Sequence, residues 1–353
     1  MPLLARMLAA PMAVEIGPGA VAGLGTLLAD RRISAGGHVA VAVGPGYGDE
    51  IAAVVDPALE NCDIVRVAEG GSLDSALALA DRLRKHFYDA VVGIGGGGTL
   101  DVAKHAASLV GLPMVAVATS LSHDGIASPV SSLAHEGQKA SYGVQMPVAV
   151  LVDLDYVRTS PVRMRRSGVG DAISNLAAIA DWRLASRERG EPIDGLSVAL
   201  AHTGAEAVLH SDGGVEDDDF LVVLAEALVL SGLAMATAGS SRPCSGADHE
   251  IVHAIDHLFP DTALHGELAG LGARFAAHLQ GDPGLAAELD SCLARHELPR
   301  THRDVGLSDE QFAQAVAYAP RTRPDRFTIL EHLDLDEEAI LNHVHSYADA
   351  LAG

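Results

Sequence analysis

The first 155 residues alternate short β-branched runs with amphipathic stretches, and this alternation constrains the fold more than any other feature of the chain. Runs of strand length rich in Val or Ile fall at His38 to Val43, Asp63 to Val67, Ala90 to Ile94, Met114 to Ala118 and Val148 to Val152. Between them lie helical patterns such as Ser72 to Phe87, which carries Leu73, Ala76, Leu77, Leu79, Ala80 and Leu83 on one side. Strands alternating with helices imply a parallel, doubly wound sheet. Near Asp153 the pattern changes, and from Ser160 onward almost every periodic segment is helical. The clearest are Asp171 to Ser186, Ile193 to Ser211, Asp217 to Ala238, Ser245 to Leu258, Leu264 to Leu279 and Asp336 to Leu351. A chain of 353 residues exceeds what one core usually supports. The expected architecture is therefore an α/β, Rossmann-like parallel-sheet domain over residues 1–158, then an all-α domain over 159–353.

Hydrophobic residues make up 48% of the chain and aromatics only 4%, so the core should be aliphatic. Lys and Arg total 24 against 47 Asp and Glu, and the net charge of -23 argues against a nucleic-acid or anionic-membrane surface. Cys62, Cys244 and Cys292 form no CxxC pair, which argues against a disulfide framework or a thiolate zinc site and points to reducing cytoplasm. The run from Met1 to Val14 has no convincing cleavage site, and no window holds the roughly 18 uninterrupted apolar residues of a spanning helix. No membrane insertion is expected.

Three segments carry chemistry. The run Gly93-Ile94-Gly95-Gly96-Gly97-Gly98-Thr99-Leu100-Asp101 links a strand to a helix, where glycines let the backbone approach a pyrophosphate favoured by the helix N-terminus. It lacks GxGxxG spacing, so it is not the usual dinucleotide fingerprint. The next strand ends in the small polar loop Thr119 to Pro129, at a sheet edge where open α/β folds hold ligands. Asp171, His249 and His265, each in a separate helical segment, offer one carboxylate and two imidazoles. Such a set suits a catalytic divalent metal, because three protein ligands leave a position open. His253 shares a helix face with His249, whereas His257 is rotated by about 80 degrees. Taken alone, Asp171 reads as a helix N-cap, and Pro320 to Pro324 reads as a loop.

These segments occur in the order found in sn-glycerol-1-phosphate dehydrogenases. Gly95 to Lys104, Thr119 to Pro129, Gly170 to Asn175 with Asp181-Trp182, Ser241 to His249 with His253, and Leu264 to Glu267 closely resemble that family. It belongs to a wider group, with a dehydroquinate synthase-like fold, that includes the iron-containing alcohol dehydrogenases, glycerol dehydrogenase and 3-dehydroquinate synthase. The resemblance implies that NAD or NADP is held by Gly96, Gly97, Gly98, Thr99, Leu100, Asp101, Thr119, Ser120, Leu121, Ser122 and Ser128. It implies that Asp124 and His253 contact the substrate, and that Asp171, His249 and His265 bind one divalent ion, Zn²⁺ with Ni²⁺ or Fe²⁺ as alternatives. Asn175 stands where iron alcohol dehydrogenases carry a further His, so a three-ligand site fits better. Gly98 stands where relatives often have Lys or Arg.

The implied reaction is reduction of dihydroxyacetone phosphate to sn-glycerol 1-phosphate, with a Lewis acid polarising the ketone and His253 orienting or protonating the nascent alcohol oxygen. Arg242 and Lys139 are the candidate partners for the substrate phosphate. The partner class is a phosphorylated triose or polyol, and a homo-oligomer, dimer or larger, is expected. Alternatives are a polyol dehydrogenase or cyclase on the same scaffold, or a non-catalytic cofactor-binding protein.

Overall fold

The computed structural model describes residues 10–45, 50–51, 53, 62–67, 71–135 and 138–349. Contacts divide the chain into two compact units, Met1–Ser160 with Met235–Gly239, and Pro161–Ala234 with Ser240–Gly353.

In the first unit the described residues form a six-stranded sheet in the order β1-β8-β5-β4-β2-β3, with every pairing parallel. The strands are β1 (Ala13–Gly17), β2 (Val39–Val43), β3 (Cys62–Arg66), β4 (Ala90–Gly95), β5 (Met114–Ala118) and β8 (Ala149–Asp153). Every residue of β2, β4, β5 and β8 is buried, as expected of central strands covered on both faces, so their sequences read as continuous apolar runs. Val41, Ile94, Val117 and Leu151 lie in the same core as Val21 and Leu24.

Two strand pieces escape the periodicity. The edge strand β1 has no fully buried position and exposes Val14 and Glu15, so it lacks an apolar run. β6 (Val130–His135) and β7 (Gln138–Gly143) form an antiparallel hairpin rich in Ser, Gln and Lys, where pairing and not pattern makes the strand. Helices α1 (Leu24–Leu28), α2 (Leu73–His86), α3 (Gly97–Val110) and α4 (Leu154–Thr159) complete this unit. From β2 the chain runs outward to β3 and returns to β4 on the other side of β2, so β2 and β4 flank the point where the strand order reverses. Ligands of open α/β sheets bind beyond the carboxyl ends of such strands.

The second unit is helical. Its main members are α5 (Val162–Arg189), α6 (Gly195–His210), α7 (Asp218–Ala238), α8 (Ala247–Leu258), α9 (His265–Leu279), α10 (Pro283–Arg295), α11 (Asp309–Tyr318), α12 (Ile329–Leu333) and α13 (Glu337–Asp349). α5 begins at Val162 and not at Asp171, because Gly168 and Gly170 interrupt the apolar pattern without breaking the helix. Asp171 is therefore an interior residue and not a cap. Within Pro320 to Pro324, residues up to Thr322 belong to a 3-10 turn (Ala319–Thr322). α10, α11 and α12 occupy stretches whose periodicity gives no assignment. α7 is long and apolar enough to cross a membrane by length and composition, with a mean hydropathy of 2.1, yet 61% of that stretch is buried within the protein, as in a core helix.

Candidate functional site

The glycine run forms a tight passage from strand to helix. Gly96 is the N-cap of α3 and supplies no side-chain cap, so the first N–H groups of the helix open at the carboxyl end of β4. A Cβ on Gly97 would lie 2.1 Å from His123 Nε2, and one on Gly96 would lie 3.3 Å from Ser120 Oγ. Ser120 Oγ is buried and has no hydrogen-bond partner among the described residues. A polar orphan beside an uncapped helix N-terminus fits a bound pyrophosphate.

The predicted cofactor residues divide by exposure. Gly98 is exposed, and Thr119 and Ser122 are half-buried, so their surfaces remain accessible. Leu100, Asp101, Leu121 and Ser128 are buried, so what they can offer a cofactor is main-chain groups. Asp101 Oδ2 accepts from the Ser132 N–H at 3.1 Å, and Oδ1 lies 3.0 Å from Lys104 Nζ. The buried Lys104 ammonium also donates to the Gly125, Ser128 and Val130 carbonyls. Sequence reasoning missed this role: Lys104 pins the polar loop to α3 from within. Asp124 sits in a 3-10 turn (Asp124–Ile126) of that loop and is half-buried; its carbonyl accepts from the Ala127 and Ser128 N–H groups. We expect Gly97→Val to weaken NAD(P)H binding by about tenfold or more, because its branched side chain occupies the cradle and presses on His123. Metal content should not change. Calorimetric titration giving wild-type affinity would reduce the run to a structural turn.

In the second unit, Asp171, His249 and His265 converge. His265 Nε2 is 3.2 Å from His249 Nε2 and 3.6 Å from Asp171 Oδ1, and His249 Nε2 is 3.8 Å from Asp171 Oδ1. Ligands at about 2.0–2.1 Å from a tetrahedral ion stand roughly 3.4 Å apart, so the three atoms form one face of such a polyhedron. The side chains of Asp171, His249 and His265 are 3%, 11% and 32% exposed, so the site opens on the His265 side.

The helices that carry the ligands meet through glycines. A Cβ on Gly170 would lie 2.2 Å from the Gly266 carbonyl oxygen, and one on Gly266 would lie 1.8 Å from the Ser167 carbonyl oxygen. Only hydrogen fits at either position, and each glycine immediately precedes or follows a ligand in sequence. Arg163 grips Glu267 with two hydrogen bonds, at 2.6 and 2.7 Å, while Glu267 accepts from the Leu264 N–H and so fixes the start of α9. The start of α8 is fixed by Asp181, whose Oδ2 accepts from the Ala247 N–H at 2.7 Å and whose Oδ1 accepts from Gln280 and the Ile329 N–H. Complete burial pushes the Asp181 carboxyl up to about 7, despite these donors.

Asp248 is the residue of this site that sequence reasoning missed, although its place beside His249 was a signal. Fully buried, it pairs closely with His249 Nδ1 and accepts from the Gly246 N–H at 2.8 Å. That bond keeps the proton on Nδ1 and turns the Nε2 lone pair toward the other ligands. Asp248→Asn should weaken metal binding about 10- to 100-fold, measured by chelator competition; wild-type affinity would remove Asp248 from the site. Asn175 donates to Ser231 Oγ at 2.8 Å, in keeping with a three-ligand set.

His253, half-buried one turn beyond His249, lies with Nε2 3.0 Å from an Arg323 nitrogen. Of the two cations expected near a substrate phosphate, Arg242 is committed to Glu191 and to the Phe327 carbonyl, and Lys139 lies exposed on β7 in the other unit.

Comparison with known proteins agrees with this construction. The sequence model of a family described as iron-containing alcohol dehydrogenase matches residues 15–161. A glycerol-1-phosphate dehydrogenase (NAD(P)+) of Hyperthermus butylicus is 37% identical over 335 residues, covering 93% of this chain and 95% of that protein. One from Cenarchaeum symbiosum is 40% identical over 266 residues, covering 73% of this chain and 72% of that protein. The crystal structure of a probable glycerol dehydrogenase from Sinorhizobium meliloti superposes with a TM-score of 0.78 at 21% identity, covering 97% of this chain and 98% of that one, and shows the same fold. With metal-site geometry, fold and sequence in agreement, the chain belongs to the glycerol-1-phosphate dehydrogenase family.

Proposed function

We propose that this protein is an NAD(P)-dependent dehydrogenase that reduces dihydroxyacetone phosphate to sn-glycerol 1-phosphate. The observation that carries the reading is the Asp171–His249–His265 triangle, whose edges suit a zinc-sized ion and whose partly open side leaves room for a carbonyl oxygen. When bound, the ion supplies Lewis-acid polarisation of that carbonyl. The chain's own residues do the rest. Asp248 holds the His249 imidazole in its ligating tautomer, and the glycine turn with Ser120 holds the dinucleotide phosphates. An arginine cannot accept a hydrogen bond, so His253 accepts at Nε2 and carries its proton on Nδ1, the hydrogen it can offer to a substrate oxygen. The proposal extends to a reducing, cytoplasmic setting, supported by three free cysteines, two of them buried.

A substrate panel tests this reading. Purified, metal-analysed protein is expected to consume NADH or NADPH with dihydroxyacetone phosphate, with activity lost to a chelator and restored by Zn²⁺. Oxidation of glycerol with no turnover of the phosphorylated ketone would replace the proposal with a polyol dehydrogenase.

A further inference from the structure

Beside the metal-binding helix lies a cation with no anion. Arg323 follows the 3-10 turn Ala319–Thr322 and is half-buried, with burial pulling its guanidinium below the usual range. Its one hydrogen-bonded partner among the described residues is His253 Nε2, at 3.0 Å, and no carboxylate among them lies within ion-pair distance. A guanidinium has five N–H donors in a planar fork, so most of its donors remain available for an incoming oxyanion. The neighbouring arginines are spent. Arg326 donates to the Ser245 carbonyl and to Ser241 Oγ, and Arg242 is held by Glu191 and the Phe327 carbonyl. Burial, followed by the closeness of Arg323 and Arg242, pulls Arg326 to about 10, so positive potential concentrates here in a chain of net charge -23.

We propose that Arg323 is the residue that recognises the substrate's phosphate group, with His253 as the hinge between that phosphate and the carbonyl end. The inference rests on the reading of the protein as acting on a phosphorylated ketone. His253 lies one helical turn from the metal ligand His249, about 5.4 Å along the axis. In a ketone phosphate, one carbon and one ester oxygen separate the carbonyl carbon from phosphorus, a reach of the same order. Arg323 thus takes the place that sequence reasoning gave to Arg242 and Lys139.

The test uses metal-replete wild type, Arg323→Met and Arg323→Lys, with inorganic phosphate as the binding probe and dihydroxyacetone with and without phosphate as substrates. Calorimetry should show phosphate binding to wild type, its loss in Arg323→Met and its partial return in Arg323→Lys. The ratio of kcat/KM for the phosphorylated over the plain ketone should fall about 10- to 100-fold in Arg323→Met, the worth of a charge-assisted contact. Metal content and melting temperature should match wild type, since Arg323 makes only one side-chain bond. Phosphate binding that survives in Arg323→Met belongs to the metal or to another cation and overturns the proposal, as does an unchanged ratio. Wild type that binds phosphate through Arg323 but turns over no ketone phosphate would leave the anion site standing and bring down the assigned reaction. Wild type that binds no phosphate overturns the anion site itself.

Discussion

Asp171→Asn should yield protein that retains about a tenth or less of the wild-type metal and whose kcat/KM has fallen by about 10³-fold or more, the several kcal/mol that a Lewis acid contributes. Asp171 is the only anion in the triangle, and its side chain is 3% exposed. Replacing it with a neutral amide leaves a dication facing two imidazoles in a poorly solvated site, so the charge cost falls directly on metal affinity. The fold should hold, because an amide matches the carboxylate in size. Elemental analysis beside steady-state rates checks both halves. A variant with full metal and full activity would show that the convergence of these three residues serves the fold alone. A variant with full metal but no activity would move Asp171 from holding the ion to orienting what binds it.

Gly266→Ala should be the most damaging single-methyl change in the helical unit. The added carbon would sit 1.8 Å from a carbonyl oxygen and 2.6 Å from the carbonyl carbon of Ser167, both main-chain atoms of a long buried helix. No rotamer relieves that contact, so α5 and α9 must separate, at a cost of about 3 kcal/mol or more. Separation also pulls His265 away from Asp171, so metal content should fall with stability. Gly195→Ala is the control: open space surrounds that position, and its effect should stay within about 0.5 kcal/mol. Urea denaturation of both variants, with metal analysis, decides the matter. If Gly266→Ala unfolds at the wild-type midpoint, the helices cross with slack and the glycine contact does not position the ligands.

The sequence was most legible where one principle acted alone. The central strands are buried on both faces, so Val- and Ile-rich runs at Ala90 to Ile94 and Met114 to Ala118 could signal nothing else. The metal ligands were legible because a carboxylate and two imidazoles in separate helices share few other purposes. Residues whose role depends on what the fold brings to them stayed hidden. Lys104 reads as an ordinary helical lysine until the loop carbonyls close over it. Arg242 reads as a phosphate ligand until Glu191, 51 residues earlier, takes its guanidinium. Arg323 lies 70 residues from His253, and nothing local marks it. The edge strand β1 was hidden for the opposite reason, since half-exposed pairing needs no apolar run.

The glycine crossing of α5 and α9 also bears on which ions the protein can accept. Because main chain meets main chain at Gly170 and Gly266, the ligand triangle is set by the stiffest contacts available and cannot widen without parting two helices. Ions that bond at about 2.0–2.1 Å fit its present edges, whereas Ca²⁺, which requires about 2.3–2.6 Å and six or more oxygens, would have to dilate it. Small first-row dications therefore compete among themselves for this site on ligand preference and supply, while discrimination against larger ions is a matter of radius, enforced by the absence of two methyl groups.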